Sequence, residues 1–355
     1  MRRLLAGLLL LAAAPAVAGN DAGNDAVRSI LATAGFEGSA LVGEPNGRAE
    51  VLLFPGKAPL RADDVWRWAS ITKQLAAVLV MKEVEKGRID LDKPVSAYWP
   101  EWKSDDAGRI RIRDLLGHRS GLPDPDSSPP LPPTGFPAFY GTKAAPPGQS
   151  ADDFCAGPRR DEPGKSFLYN NCDYIVLGEV LRRVTGQSFA ELARERLARP
   201  LGMTAFGVYA FGEPRPPHVA PTGEDAEPDA LLDLGLYGAS GGAYGRIEDL
   251  WRFGHALVSG RLLGEAARTE MWRSKPEGYA AFGQWVWPLE LKRCGRKVTV
   301  VERQGLIGGI ESRHYLLVES GRGLILFARH KPANYGDPWD GKGLSYDLLE
   351  DVGCR

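Results

Sequence analysis

Runs of alternating apolar and polar residues lie toward both ends of the chain and predict β-strands there. Residues 38–54 alternate small and apolar positions around Gly and Asn breaks, which is typical of a hairpin. A second series of strand-like runs begins at residue 282 and comprises FGQWVW, KVTVVER, RHYLLVE and GLILFAR. Because Gly or charged breaks separate these runs, they indicate successive antiparallel strands. A sheet built from both ends of the chain fits this pattern.

The middle of the chain is predicted to be mostly helical. One helix starts near Ser70 and ends at Gly87, and its residues 75–81 are almost wholly apolar, as expected of a helix inside a domain. Pro and Gly are dense from residue 123 to residue 165, which favours a loop with short helices that forms the rim of a site. Other helical patterns cover residues 25–34, 112–116, 173–184, 188–199, 247–258, 265–272 and 344–352.

This order of elements predicts the α+β fold class, with an antiparallel sheet flanked by helices, a mostly helical lobe, and an active site between them. We expect one domain over residues 19–355. In it, residues 19–64 and 275–355 form an α/β lobe, and residues 65–274 form the helical lobe.

Residues 1–18 have the pattern of a signal peptide. Arg2 and Arg3 precede an apolar stretch, and residues 16–18 (AVA) form a small-residue cleavage site. A retained membrane anchor is the alternative, but the apolar run is too short to span a bilayer. We therefore expect a periplasmic or secreted protein with no stable membrane span after signal cleavage.

Charge and cysteine content narrow the classes of partner. The net charge of −1 and the pI of about 6.6 give no reason to expect a nucleic-acid partner. Four cysteines in an oxidising compartment predict disulfides, with three possible pairings, and buried free thiols are the alternative. The sequence contains no C-x-x-C motif or Cys/His cluster that would indicate a metal site. The cysteines are Cys155, Cys172, Cys294 and Cys354.

A hydroxyl and an amine stand in the first turn of the apolar helix. Ser70 and Lys73 are three residues apart, so both side chains lie on one face of the helix. An amine beside a serine oxygen at a helix start can activate a nucleophile, and S-x-x-K is a motif of penicillin-recognising enzymes. A helix-capping serine and a solvated lysine are the plain alternative for this motif taken alone.

Two later motifs supply possible partners. In Tyr169-Asn170-Asn171, a phenol near Lys73 could act as general base and the amide of Asn171 could orient the amine. A loop aromatic with a capping Asn would explain the same residues. In Arg303-Gln304-Gly305, at the end of a predicted strand, the glycine would admit a substrate backbone and the cation would face negative charge. The alternative there is an ordinary strand end.

The order and spacing of these motifs resemble the serine β-lactamase and penicillin-binding-protein family, in its branch of class C β-lactamases, D-alanyl-D-alanine carboxypeptidases and related esterases. The resemblance covers nearly all of the chain after residue 18. Similar segments, besides the three motifs, are KGRIDLDKPVSAYWPE (86–101), IRDLLGHRSGLP (112–123), RPLGM (199–203) and ASGGAYGRIEDLWRFGHAL (239–257).

The resemblance implies a β-lactamase/transpeptidase-like fold and acyl transfer. Ser70 would form an acyl-enzyme, with Lys73 and Tyr169 sharing the proton transfers and Asn171 holding Lys73 and the substrate. The oxyanion hole would consist of the backbone N–H groups of Ser70 and Leu306. No metal or organic cofactor would be needed. The family layout also favours the disulfides Cys155–Cys172 and Cys294–Cys354 and gives a structural role to His118.

Two departures from the family pattern bear on the substrate. Arg303 and Gln304 replace the usual Lys or His and the small hydroxyl residue, so the hydroxyl that would hold a β-lactam carboxylate is lost. Arg stays charged and is no proton carrier, although it could pair with a carboxylate bidentately. Cys172 stands where the family often has a small residue.

The sequence therefore predicts an exported serine hydrolase acting on an ester or amide of a small molecule or peptide. An esterase or D-Ala-D-Ala carboxypeptidase-like enzyme is favoured over a β-lactamase. The competing hypothesis is a non-hydrolytic penicillin-binding protein or cell-wall-fragment sensor on the same fold.

Overall fold

The computed structural model of the chain describes residues 23–132, 135–222, 231–274, 278–329 and 335–355, so the predicted signal peptide lies outside the described residues. Its strands are β1 (Gly38–Gly43), β2 (Ala49–Phe54), β3 (Trp66–Arg67), β4 (Pro130–Leu131), β5 (Phe136–Pro137), β6 (Gly207–Val208), β7 (Ala243–Gly245), β8 (Ala280–Ala281), β9 (Gln284–Leu291), β10 (Arg296–Ile307), β11 (Ile310–Leu317) and β12 (Arg322–Ala328).

The helices occupy mainly the middle of the chain. They are α1 (Asp25–Thr33), α2 (Thr72–Glu85), α3 (Ile112–Leu116), α4 (Pro147–Asp152), α5 (Cys172–Thr185), α6 (Phe189–Ala193), α7 (Arg199–Leu201), α8 (Gly238–Gly241), α9 (Ile247–Val258), α10 (Glu265–Met271) and α11 (Leu344–Gly353). In the described ranges, no helix combines the length and the apolar character needed to cross a membrane.

A seven-stranded antiparallel sheet joins the two ends of the chain in the order β2-β1-β12-β11-β10-β9-β8. The hairpin predicted for residues 38–54 is β1 and β2, paired from Gly38 with Phe54 to Gly43 with Ala49. The sheet therefore confirms the α+β class and the predicted contribution of both ends.

Side chains of the central strands alternate between two hydrophobic cores. In β12, Leu324 and Leu326 face the core shared with α1 and α11, whereas Ile325 and Phe327 face the core shared with the helical part. Because both faces are covered, the strand reads as a continuous apolar run rather than as an apolar/polar alternation.

Helix α9 covers the sheet on the face toward the helical part, although it lies within the residues predicted for the helical lobe. Trp251 of α9 packs on Gly43 and Gly323, where a Cβ would lie only 2.5 and 2.4 Å from the indole. These two glycines make room for the large side chain, which explains their place in otherwise apolar strands.

Helix α2 lies at the centre of the helical part and positions the site. Its residues from Thr72 to Met81 are buried on all sides, as the apolar run predicts. The helix packs against α5, α8 and α10. The 3-10 turn Ala69–Ile71, which contacts β10 and β11, leads into it. The start of α2 is thereby held at the junction of helices and sheet.

Candidate active site

Ser70 lies in the 3-10 turn before α2, half-buried, at the bottom of a cleft of about 980 Å³. The preceding residue, Ala69, has a φ of 48°, which is unfavourable for a residue with a Cβ and is a form of strain that often occurs at functional sites. One wall of the cleft is the end of β10, and the other comes from the Tyr169 loop and the rim around Phe136.

Lys73 is completely buried one turn after Ser70. Its Nζ donates to Ser70 Oγ at 3.1 Å, to Asn171 Oδ1 at 2.6 Å and to the carbonyl oxygen of Ser240 at 2.7 Å. These three acceptors use all three N–H bonds of an ammonium group. The amine is therefore fixed in direction toward the serine oxygen.

Tyr169 also contacts Ser70. Its hydroxyl lies 2.8 Å from Ser70 Oγ and accepts a hydrogen bond from Arg303 Nη2 at 2.8 Å. Lys73 and Arg303 can only donate, and either hydroxyl can donate to the other across the contact between Ser70 and Tyr169. When Tyr169 is ionised, its oxygen can only accept, so the Ser70 hydroxyl is then the donor.

The positive charges of Lys73 and Arg303 also shift the pKa of Tyr169. Burial raises the pKa of Tyr169, but the positive charges of Arg303 and Lys73 outweigh burial, and the pKa ends below its ordinary value. Burial lowers the pKa of the Lys73 amine; Tyr169 opposes that shift and Arg303 adds to it. Both shifts bring proton exchange closer to neutral pH, where a general base works best.

Asn171 connects this cluster to the rim. While its Oδ1 accepts from Lys73, its Nδ2 donates to Tyr140 at 2.8 Å and to Asp126 Oδ1 at 3.1 Å. The amide can therefore adopt one orientation only, with oxygen toward Lys73. The rim predicted for residues 123–165 does border the cleft, through Asp126, Phe136 and other residues.

Gly305 allows β10 to run directly beside the serine. A Cβ at this position would lie 2.7 Å from the backbone nitrogen of Ser70 and 2.8 Å from the carbonyl oxygen of Trp68. A side chain there would push the strand away. The next residue, Leu306, is 54% exposed and lines the cleft together with Ser70.

The other two residues of the third motif point in different directions. Gln304 is exposed and lines the cleft. Arg303 is only 1% exposed; its guanidinium lies over the Trp285 ring at 4.6 Å and donates from Nε to the carbonyl oxygen of Ser70 at 2.9 Å. The arginine therefore belongs to the cleft lining but is almost fully buried, with its guanidinium bonded to Ser70 and Tyr169.

His118 lies behind Tyr169, with ring centroids 4.5 Å apart, and is buried. Its Nδ1 forms a hydrogen bond of 3.0 Å with Asp173 Oδ2. Burial lowers its pKa well below the ordinary value, and burial raises the pKa of Asp173 well above it. Burial thus favours the neutral form of both groups, and the hydrogen bond of His118 goes to Asp173 and not to Ser70.

Both predicted disulfides are present: Cys155–Cys172, with Cα atoms 5.3 Å apart, and Cys294–Cys354, at 5.7 Å. The first attaches the rim to the residue that follows Asn171. The second joins the turn after β9 to the end of α11.

Three contributors to the site escaped the sequence analysis. Ser240 supplies the carbonyl that fixes Lys73, and Tyr140 and Asp126 fix Asn171. Ser240 lies in the family-like segment 239–257, which was a usable signal. The rim residues lie in a stretch without periodicity, and the sequence carries no mark of their contact with Asn171.

Comparisons with known proteins identify the family of the chain. The model of the Beta-lactamase family matches residues 24–331. Esterase EstB of Burkholderia gladioli is 29% identical over 230 residues, which cover 55% of this chain and 57% of the esterase. A second curated relative, from Bacillus subtilis (strain 168), is covered to 66% of its length, so the chain spans only part of these proteins.

Solved structures share the fold over nearly the whole chain. A D-stereospecific amidohydrolase from Streptomyces sp. is 27% identical, with a TM-score of 0.73 and coverage of 93% of this chain and 98% of that one. D-amino acid amidase from Ochrobactrum anthropi SV3, complexed with L-phenylalanine amide, is 24% identical, with a TM-score of 0.74 and coverage of 93% and 97%. The predicted β-lactamase/transpeptidase-like fold is confirmed.

Proposed function

The chain belongs to the Beta-lactamase family, and we propose that it is a serine hydrolase that cleaves an ester or amide through an acyl-enzyme on Ser70. The observation that carries the proposal is the position of Ser70 Oγ, which opens onto a cleft and lies within hydrogen-bond distance of Lys73 Nζ and the Tyr169 hydroxyl. A nucleophile with a base beside it is the arrangement that acyl transfer requires.

In the acylation step, Ser70 Oγ attacks the carbonyl carbon while its proton moves to the Tyr169 oxygen. Lys73 and Arg303 favour the phenolate form that receives this proton. The backbone N–H groups of Ser70 and Leu306 would bind the oxyanion, in support of which Gly305 brings the two backbones together. Tyr169 then protonates the leaving alcohol or amine as its bond to the carbonyl carbon breaks.

In the deacylation step, a water molecule attacks the ester formed on Ser70. Tyr169, again unprotonated, takes a proton from the water, and Ser70 regains its proton as the acid leaves. Asn171 holds the Lys73 amine in place, and Lys73 in turn holds Ser70 Oγ. Gln304 and Gly305 would lie along the bound substrate.

The names of the relatives support an ester or amide as substrate, because an esterase and an amidohydrolase are among them. An ester or amide of a small molecule or peptide fits a cleft of about 980 Å³ whose walls include Phe136, Phe167 and Trp285.

We assign the protein to the periplasm or the extracellular space. The signal-like pattern of residues 1–18 and the two disulfides support this compartment, because disulfides persist in oxidising environments.

The test is acylation and turnover with a matched variant. Wild type and Ser70→Ala are incubated with nitrocefin, a p-nitrophenyl ester, a D-Ala-D-Ala peptide and D-phenylalanine amide, and Ser70 is probed with a fluorophosphonate. We expect wild type to turn over an ester or an amide and to be labelled on Ser70, and we expect neither with Ser70→Ala. Absence of both turnover and label in wild type contradicts the proposal. Labelling without turnover of any substrate would instead indicate a non-hydrolytic sensor.

A further inference from the structure

We propose that Arg303 is a positioning residue for Tyr169, bonded to the protein rather than held ready for the substrate, so that the cleft prefers esters or amides whose leaving group carries no carboxylate. This inference rests on the hydrolase function proposed above. It concerns which substrates that enzyme prefers, and it assigns the arginine of the third motif a partner within the protein.

The hydrogen bonds of Arg303 are made to the catalytic group itself. Its Nε donates to the Ser70 carbonyl oxygen at 2.9 Å and its Nη2 to the Tyr169 hydroxyl at 2.8 Å, so the planar fork bridges the nucleophile's backbone and the base. The guanidinium carbon lies 4.6 Å from the centroid of Trp285 and 5.2 Å from that of Tyr169. A guanidinium enclosed in this way cannot turn to a substrate without releasing the base.

Arginine suits this position better than lysine would. A lysine is a single point charge, whereas the fork of an arginine can hold two acceptors in a fixed geometry and stays charged at every working pH. A permanent cation next to a phenol favours its ionised form, and the lowered pKa of Tyr169 agrees with this. Arg303, in place of the usual Lys or His, thus stabilises the ionised form of the base Tyr169.

The remaining charges of the cleft do not favour a carboxylate. Arg313 donates to Glu302 at 3.2 Å and to Glu311 at 3.0 Å and is already paired. Among the described residues that line the cleft, Asp126 and Glu311 contribute carboxylates of their own, and Arg303 and Arg313 are the cations. An incoming carboxylate would lose water, meet two like charges and find both cations of this lining already hydrogen-bonded within the protein.

The first experiment compares two esters that differ in one group. The compounds are 3-(phenylacetylglycyloxy)benzoate and the corresponding 3-(phenylacetylglycyloxy)benzamide, which share the acyl part and release a phenol followed by absorbance. Because a charge buried without a compensating partner is costly, we expect kcat/KM for the benzamide to exceed that for the benzoate by at least about tenfold.

The outcomes separate this inference from the function on which it rests. Turnover with equal or higher kcat/KM for the benzoate overturns the inference and leaves the hydrolase intact. Turnover of neither ester, together with no fluorophosphonate label on Ser70, overturns the hydrolase proposal and this inference with it.

The second experiment tests the role of Arg303 itself. Arg303→Met removes the cation, and we expect the acidic limb of the kcat/KM profile to move to higher pH by about one unit or more, with the same fractional loss for both esters. Arg303→Lys retains the charge, so we expect its acidic limb to return close to that of wild type.

Two results would contradict this role. If Arg303 binds the substrate, Arg303→Met will weaken the benzoate ester selectively by raising its KM, and the pH limb will stay in place. An unshifted limb in a folded Arg303→Met protein, shown by an unchanged thermal unfolding transition, is sufficient to reject the positioning role. If Arg303→Met does not fold, a KM that rises selectively for the benzoate ester in Arg303→Lys, with the limb in place, rejects it as well.

Discussion

Two neighbouring clusters each contain a serine and a possible base, but only one opens onto the cleft. The first is the Ser70 cluster, formed by Ser70, Lys73, Tyr169, Asn171 and Arg303. The second is the Ser120 cluster, formed by Ser120, His118, Asp173 and Asn170. They are in contact, because the rings of His118 and Tyr169 pack together.

The Ser120 cluster has the residue types of a Ser-His-Asp triad, but its connections are different. Ser120 is completely buried and donates to Asp173, while His118 bonds to the other oxygen of the same carboxyl group. The second ring nitrogen of His118, Nε2, has no hydrogen-bond partner among the described residues. In a triad, that nitrogen would bond to the serine. The cluster therefore closes the turn at His118 and supports Tyr169 from behind.

The difference shows that residue type alone does not identify a nucleophile. Burial drives the Ser120 cluster toward neutral groups, whereas two cations that are held near Tyr169 stabilise negative charge in the Ser70 cluster. Access to the cleft and the charges around the base thus separate the catalytic candidate from the structural one.

The largest expected effect distinguishes the two serines. We expect Ser70→Ala to lower kcat by at least about 10⁴-fold with little change in stability, since it removes the nucleophile. We expect Ser120→Ala to keep kcat within about tenfold while costing about 1–3 kcal/mol of stability, because the buried Oδ1 of Asp173 loses its hydrogen-bond donor. Steady-state kinetics and urea unfolding of both variants check this. A larger loss of kcat in Ser120→Ala than in Ser70→Ala would show that Ser70 is not the nucleophile.

The next effect separates two tyrosines that face Lys73. We expect Tyr169→Phe to lower kcat about 10²–10⁴-fold, because the proton acceptor is lost. Tyr174 also lies near Lys73, but its hydroxyl donates to the Leu116 carbonyl at 2.9 Å, so Tyr174→Phe is a matched control that should retain activity. Full activity in Tyr169→Phe would exclude the phenol as base.

The Cys155–Cys172 disulfide holds the segment that both clusters share. It closes a sequence separation of 17, and we expect its replacement by two serines to cost about 3 kcal/mol of stability and to lower kcat/KM, because Asn171 lies next to Cys172. The matched control replaces Cys294–Cys354, which is remote from the cleft and should affect stability only. Equal activity of the two double variants would show that the tether does not affect the site.

The smallest effect concerns the pH dependence of stability. The pKa of His118 is depressed in the folded protein, so its contribution is complete above the unfolded value of about 6.5 and is lost as the pH falls below it. Asp173, with a raised pKa, contributes with the opposite sign.

The test for this effect is therefore a difference between two proteins. We expect wild type, relative to His118→Gln, to lose up to about 1.4 kcal/mol of unfolding free energy per pH unit between pH 6.5 and 5. Urea unfolding at several pH values measures it, and parallel curves for the two proteins would show that His118 is not held neutral.

Much of the fold was predictable because its signals are local. The hairpin of β1 and β2, the strands from β9 to β12 and helix α2 follow from periodicity and from breaks at Gly, which depend on neighbours in the sequence. The position of α9 against the sheet was not predictable, since it depends on Trp251 meeting two glycines more than seventy residues away on either side. Contacts between residues so distant in the sequence leave no periodic pattern in it.

By itself the sequence determined the order of the motifs at Ser70, Tyr169 and Arg303, which predicted the family and, through the family layout, both disulfide pairings. Only the tertiary structure decided that the Tyr169 hydroxyl lies within hydrogen-bond distance of Ser70 Oγ, that Arg303 donates to that phenol, and that Ser120 is buried. The physical reason is that charge, burial and hydrogen-bond direction depend on groups brought together from distant parts of the chain. A motif gives the residue types, whereas burial and neighbouring charges set the pKa and the hydrogen-bond partners of those residues.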